Sequence, residues 1–458
     1  MRIPVIVVLP KQEPLQESAA AGLEGKAPTD LSRARAPSGI TLDSNFVAVP
    51  LGGAAAKPAL ESFAPERSES FAVRGFLDAE SPEAIPTTAD GNPLFADPRI
   101  EPFITCGGAP PVGDAAAVAA KLNVAALAAQ GLSGDGVAIA VMDTGINLPH
   151  LTAKLGFAPK FDAANSWSAP GVPTAPGAHP VGHGTMCAFD ALIAAPKATL
   201  LDFPILRGSA PGGSVMGGFL SVALMGFAQL LVNWGVAFSP TGARKYKALV
   251  STNSWGIFHP SWDFPAGHPG RFLDNPNHPF NVVVSTLARA GADIVFAAGN
   301  CGTDCADGRC QGRTRHTIMG ASAHSEVLTI AGCDTTDKRV GYSSQGPSIP
   351  GMYQEKPDVT AYTHFKGSEA FGVGSPDSGT SAACPVAAGC VAALRTKAAL
   401  SSVAPSVMIQ TLRQSARAAL AGQRGWNSDY GFGIIDPAAA ATSFGVAAVS
   451  ERAEERVS

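Results

Sequence analysis

Three side chains of this sequence have the types that nucleophilic catalysis needs. They are Asp143 in Asp143-Thr144-Gly145, His183 in Gly182-His183-Gly184-Thr185, and Ser381 in Ser378-Gly379-Thr380-Ser381-Ala382-Ala383-Cys384-Pro385. A serine hydroxyl is a weak nucleophile, so it needs a base to remove its proton. The base in turn needs a carboxylate to fix its tautomer and stabilise the imidazolium. Asn300 follows the apolar run Ile294-Val295-Phe296-Ala297-Ala298. Its amide, with the backbone N–H of Ser381, suits a developing oxyanion. The four groups together point to acyl transfer through a serine nucleophile, a chemistry that calls for no cofactor and no metal.

Each group needs an element that aims it. Val137 to Met142 is an unbroken apolar run directly before Asp143, the pattern of a parallel strand buried on both faces. Similar runs recur at Ala198 to Leu201, Ala248 to Ser251, Ile294 to Ala298 and Val327 to Ala331, with helical patterns at Phe219 to Trp234 and Val282 to Ala290 between them. Ala115 to Gln130 also favours helix. His183 and Ser381 each open a helix, one running on from Met186, the other with Ala387, Cys390, Val391 and Leu394 at helical spacing. Pro385 is tolerated there because the first turn has no internal partner for its missing N–H. The expected fold is α/β, three layers with a mostly parallel central sheet flanked by helices, and catalytic groups at the carboxyl ends of the strands.

The motifs Asp143-Thr144-Gly145, His183-Gly184-Thr185, Asn253-Ser254-Trp255-Gly256, Ala298-Gly299-Asn300 and Gly379-Thr380-Ser381 resemble, in this order, the signatures of the subtilisin-like serine proteases, the subtilases. Tyr342-Ser343-Ser344-Gln345-Gly346-Pro347, Lys356-Pro357-Asp358-Val359 and Tyr430-Gly431-Phe432-Gly433-Ile434-Ile435-Asp436 add to a likeness over about residues 125 to 440. The resemblance implies a serine endopeptidase acting on polypeptides, with Asp143, His183 and Ser381 as triad and Asn300 in the oxyanion hole. It also implies a primary pocket between Ser254-Trp255-Gly256 and Ala297-Ala298-Gly299, with substrate pairing as a strand along Gly212-Gly213-Ser214. Neither pocket wall carries an acidic residue, so a broad or apolar preference is expected. The chain departs from the family pattern at Pro385-Val386-Ala387-Ala388-Gly389, which lacks a non-catalytic His. It also lacks, between His183 and Leu206, the inserted loop with which many relatives bind calcium, and calcium is not expected there.

By the same resemblance, residues 1 to 110 form a propeptide-like segment, 111 to 442 the peptidase domain and 443 to 458 a tail. Val5 to Leu9 and Ser70 to Leu77 read as strands, with another possible near Pro98 to Phe103, while Ala-, Pro- and Glu-rich residues 11 to 66 read as a loose, partly disordered connection. The segment is expected to assist folding, with its end near Glu101 to Cys106 occupying the cleft until it is cut.

Rival chemistries share some of these letters. Asp143-Thr144-Gly145 and Asp377-Ser378-Gly379 both have the form found in aspartic proteases, whose two carboxylates share a proton, although that fold is bilobed and mainly β. A catalytically silent binding protein of the same fold is the rival from another class. An esterase elbow is absent, because Gly379-Thr380-Ser381-Ala382-Ala383 ends in alanine.

The 458 residues are 46% hydrophobic and 15% charged, with 33 basic against 37 acidic side chains, which leaves no electrostatic footprint for nucleic acid. Val215 to Phe238 is apolar enough to span a membrane, but its place between motifs of one site makes it a buried helix. Met1 to Pro10 makes a poor signal peptide, which favours the cytoplasm over export. Of eight cysteines, Cys187, Cys333, Cys384 and Cys390 suit a buried core. Cys301, Cys305 and Cys310 share a loop for which a disulfide, or a zinc site with His316 or His324, stays open.

Overall fold

A computed structural model describes residues 1–26, 30–52, 60–103, 109–169, 172–206, 216–236, 245–399 and 402–445. The chain enters through β1 (Arg2–Pro10), α1 (Glu13–Leu23), β2 (Ile40–Leu42), β3 (Val49–Gly52), β4 (Ser70–Asp78), β5 (Thr88–Ala89) and β6 (Asn92–Ala96), and then β7 (Arg99–Pro102). β1 runs antiparallel to β4 over its whole length, from Arg2↔Asp78 to Pro10↔Ser70, and β2, β3, β5 and β6 complete the N-terminal sheet. Residues 11 to 66, expected as a loose connection, therefore carry α1, β2 and β3 in their described part. Their order comes from pairing with distant β4 and from Leu15, Ala19, Phe46 and Val49 becoming buried, which a local composition window does not register.

The second part runs α2 (Ala115–Lys121), α3 (Val124–Ala129), β8 (Val137–Asp143), α4 (Leu148–Leu155), β9 (Lys160–Phe161), α5 (His183–Ala194) and β10 (Thr199–Pro204). It continues through β11 (Gly218–Phe219), α6 (Leu220–Val236), β12 (Ala248–Asn253), β13 (Trp255–Gly256), α7 (Pro279–Arg289), β14 (Asp293–Ala297), β15 (Leu328–Cys333) and β16 (Val359–Tyr362). It ends with β17 (Phe365–Lys366), β18 (Pro376–Asp377), α8 (Thr380–Arg395), α9 (Pro405–Ser415) and α10 (Pro437–Ser443). The Ala115 to Gln130 helix divides in two because Asn123 takes a left-handed backbone, φ 54°. Asp114 caps the first half by accepting from the Ala117 N–H at 2.8 Å.

Seven strands form the central sheet in the order β16-β15-β14-β12-β8-β10-β9, with every pair parallel. Every residue of β8 is buried. Val137, Ile139 and Val141 face one core with α5 and α8, and Ala138, Ala140 and Met142 face the other with α6 and α7. Each buried Val, Ile or Met among them contributes about 1.5–3 kcal/mol on burial, which explains why these strands read as unbroken apolar runs. α6 is the apolar segment weighed as a membrane span. It buries Leu220, Leu224, Phe227 and Leu231 in the second core. Among the described residues no helix is long and apolar enough to cross a membrane.

The strand order turns at β8, with β10 and β9 on one side and β12, β14, β15 and β16 on the other. The crevice above the carboxyl end of such a central strand is where α/β sheets bind ligands. Asp143 is the last residue of β8.

Candidate active site

Asp143 accepts from the backbone N–H of Thr144 at 2.7 Å and meets His183 Nδ1 with both oxygens, at 2.9 and 3.0 Å. All of these groups are buried. His183 reaches that position because α5 begins against the Asp143-Thr144-Gly145 turn. The Gly184 N–H, left open at the start of the helix, donates to Thr144 Oγ1 at 2.8 Å. A Cβ on Gly184 would lie 2.6 Å from the Gly145 carbonyl oxygen, so only glycine lets the helix come this close. With Nδ1 engaged by the carboxylate, Nε2 is the free nitrogen of the ring and has no partner among the described residues.

Ser381 is the second residue of α8, and its hydroxyl donates to the carbonyl oxygens of Phe103, at 2.9 Å, and of Ser254, at 3.1 Å. Asn300 Nδ2 donates to the same Phe103 oxygen at 2.8 Å. The orientation of that amide is fixed from behind, because Asn300 Oδ1 accepts from both the N–H and the hydroxyl of Thr380, each at 3.0 Å. Thr380 was not singled out in the sequence. Its place beside the serine in Gly379-Thr380-Ser381 was the only available signal.

β7 lies in the crevice as a third strand between β11 and β13, antiparallel to both. Gly218 pairs with Ile100, Gly256 with Glu101 and Trp255 with Pro102, and the Phe103 N–H donates to the Ser254 carbonyl at 3.2 Å. The Phe103 ring enters the space between Ser254-Trp255-Gly256 and Ala297-Ala298-Gly299. A Cβ on Gly256 would fall 2.6 Å from its Cζ, and one on Gly299 3.6 Å. Phe258 closes the far side edge-on, with centroids 5.1 Å apart. Trp255 is itself braced by Phe280 and Phe296 at 5.7 and 5.3 Å, contacts worth about 0.5–1.5 kcal/mol each beyond their buried area. The predicted pairing strand Gly212-Gly213-Ser214 lies outside the described residues. The described edge strand opposite β7 is Gly218–Phe219.

The structure corrects the aspartic reading. Asp143 is committed to His183, while the buried Asp377 accepts from the Ser368 N–H and hydroxyl at 2.5 and 2.6 Å and faces Asp190 of α5. Asp190 and Asp377 are neighbouring buried carboxyl groups. Burial, and then the neighbouring Asp377 charge, raises Asp190 well above the usual carboxylate range. Burial also pushes Asp377 up to about 6, against the Ser368 hydrogen bonds. The folded chain therefore holds protons that the unfolded chain releases above about pH 4. Their contribution to stability is complete below that value and is lost as pH rises through 6 and beyond. In an inactive Ser381→Ala background, Asp190→Asn places an amide donor where the protonated acid stood. We expect its Tm to match the parent near pH 4.5 and to exceed it by a few degrees at pH 8. Parallel Tm–pH curves would contradict the upward shift of Asp190.

The Cys301 loop also resolves. Cys301 and Cys310 form a disulfide and Cys305 is disulfide-bonded as well, so none of the three offers a thiol to zinc. Cys187, Cys333, Cys384 and Cys390 are free and buried. One described group has the composition of a metal site, Asp143 with His183 and Cys187. Cys187 Sγ lies 3.6 Å from Asp143 Oδ2, and burial together with that charge raises its thiol well above the usual range. A ligating sulfur must be a thiolate, so the donor set suits packing behind the histidine better than a metal.

Comparison with known proteins agrees with this architecture. The subtilase family model matches residues 134–433, and the chain belongs to this family of serine proteases. It is 24% identical to subtilisin DY of Bacillus licheniformis over 275 residues, covering 59% of this chain and 80% of that protein. It is 26% identical to the serine protease AprX of Bacillus subtilis (strain 168) over 251 residues, 51% of this chain and 47% of the relative. A 150-residue stretch, 31% of this chain, is 34% identical to 13% of the human membrane-bound transcription factor site-1 protease.

Proposed function

We propose that this chain is a serine endopeptidase that first cuts itself after Phe103 and then hydrolyses other polypeptides. The observation that carries the reading is the Phe103 carbonyl, whose oxygen accepts from Asn300 Nδ2 and Ser381 Oγ while its strand and ring fill the cleft. That is the pose of a substrate rather than of an incidental loop. In the proposed reaction His183 Nε2 takes the Ser381 proton as Oγ adds to the Phe103 carbonyl carbon. Asn300 and the Ser381 N–H, which lies in the open first turn of α8, stabilise the oxyanion. His183 then gives the proton to the departing amine, and water hydrolyses the ester by the same route. Asp143 holds His183 in the tautomer this needs. In the resting chain the Ser381 hydroxyl is turned to the carbonyls, and the base is met only when it rotates.

On this reading residues 1 to 103 are a prosegment that folds against the peptidase domain and blocks it. The domain itself runs to about residue 442 and is followed by a tail. Room for an aromatic ring between two walls without charge supports an apolar preference before the cut bond. Incubation of the purified chain with a fluorophosphonate, followed by peptide mapping, is the test. A single adduct on Ser381 with casein degradation is expected. An unmodified Ser381 and intact casein would leave a catalytically silent binding protein as the better reading.

A further inference from the structure

The loop closed by the Cys301–Cys310 disulfide starts one residue after Asn300 and presents Arg309 to the cleft. This guanidinium is fixed by its own surroundings. Asp307 accepts from Arg309 Nε and Nη2, both at 2.9 Å, and from the Arg309 backbone N–H at 2.8 Å. The Asp307 N–H donates to the Asn300 carbonyl at 2.9 Å, which ties the loop to the oxyanion residue. The Arg309 Cζ sits 3.7 Å from the centre of the Phe258 ring, the same ring that closes the Phe103 pocket. One edge and one face of the guanidinium are thus occupied. The remaining Nη1 edge points at the bound strand, donating to Glu101 Oε2 at 2.6 Å and to the Pro102 carbonyl at 3.3 Å.

Glu101 is nearly buried by this contact, with 8% of its side chain exposed. Its other oxygen pairs with Arg99 of the same strand. With the cut placed after Phe103, Glu101 is the third residue before the scissile bond. We propose that Arg309 is a specificity-determining residue that selects an acidic side chain at this third position, in this chain's own prosegment and in its polypeptide substrates. The inference rests on the peptidase reading above and gives it a substrate class.

The physical argument is the asymmetry of a fixed charge. A carboxylate at this position completes the one open edge of a preorganised guanidinium, and such charge-assisted bonds are stronger than neutral ones. A lysine there puts a second cation against it with little water between. A glutamine keeps an acceptor but loses the charge. Because Asp307 and Phe258 hold Arg309 in place, a wrong residue is not relieved by swinging the arginine away.

The test uses the wild-type chain after self-cleavage, with internally quenched peptides carrying Pro98 to Phe103 before the cut. Position 101 is varied as Glu, Gln or Lys, each with Arg99 kept or replaced by Ala. We expect kcat/KM for Glu to exceed Gln by roughly tenfold and Lys by more, on the strength of hydrogen bonds to charged groups. Salt should narrow the ratio. Arg309→Gln should bring the three peptides within about threefold of each other, and in the full chain Glu101→Lys should slow self-cleavage. Equal rates on the three peptides by the wild type overturn the role of Arg309 and leave the peptidase standing. A Glu preference that vanishes with Arg99→Ala assigns the effect to the strand's own ion pair and also overturns it. No turnover of any peptide, with no fluorophosphonate adduct, removes the peptidase reading and the inference with it.

Discussion

Ser381→Ala is expected to keep the chain at its full 458 residues, whereas the wild type loses residues 1 to 103, and to lower kcat on a peptide substrate by about a millionfold. The size follows from what alanine removes and what it leaves. It deletes the hydroxyl that donates to the Phe103 carbonyl, and His183, at the start of α5, then has no serine proton to take. Asn300 still donates to the Phe103 oxygen, and β7 remains paired to β11 and β13, so substrate binding survives. A residual rate of about 10³–10⁴ over water is expected from those parts alone. His183→Ala should cost about as much, and the double variant hardly more than either single one, because the two residues act as one unit. Intact mass and single-turnover kinetics on the purified variants read both effects. Should Ser381→Ala ripen to the same mass as the wild type in isolation, or keep a kcat within a hundredfold of it, Ser381 is not the nucleophile.

The candidate site residues are legible in the sequence because each stands at one end of an element with a pronounced apolar pattern. The run Val137 to Met142 ends on Asp143 in the structure as in the sequence, and the run that leads to Asn300 is strand β14, Asp293–Ala297. Full burial on both faces turns strand position into a local signal, and helix starts at His183 and Thr380 do the same for His183 and Ser381. What escaped was set by partners far away in the chain. β1 pairs with β4 across some 70 residues, and the intervening residues show no period of their own. The sequence places the segment end near Glu101 to Cys106 in the cleft, but that Phe103 fills the pocket shows only once β7 is seen between β11 and β13. Arg309 sits in a loop whose direction depends on the Cys301–Cys310 bond, on Asp307 and on Phe258, none of which has a sequence spacing that reveals an aim. Asp190 lies among apolar residues of α5, and the charge that acts on it among the described residues is almost 190 positions later, at Asp377.

Asn300→Ala is expected to lower kcat by about 10²–10³ with little change in KM, the usual consequence of losing one preorganised donor at an oxyanion. The ground-state carbonyl of Phe103 is already held by its strand pairing and by Ser381, so the Nδ2 donor matters most when negative charge builds on that oxygen. The same side chain has a structural duty, because its Oδ1 accepts from the Thr380 N–H and hydroxyl beside Ser381. Alanine removes both functions at once, and Asn300→Asp separates them. A carboxylate keeps an acceptor for Thr380 at the start of α8, while it takes away the donor and sets a negative charge where another must form. If donation is what counts, the Asp variant is at least as slow as the Ala variant despite a better-preserved Tm. Should it instead recover most of the wild-type kcat, Asn300 acts by positioning Thr380 and Ser381, and the oxyanion must be held by backbone N–H groups alone.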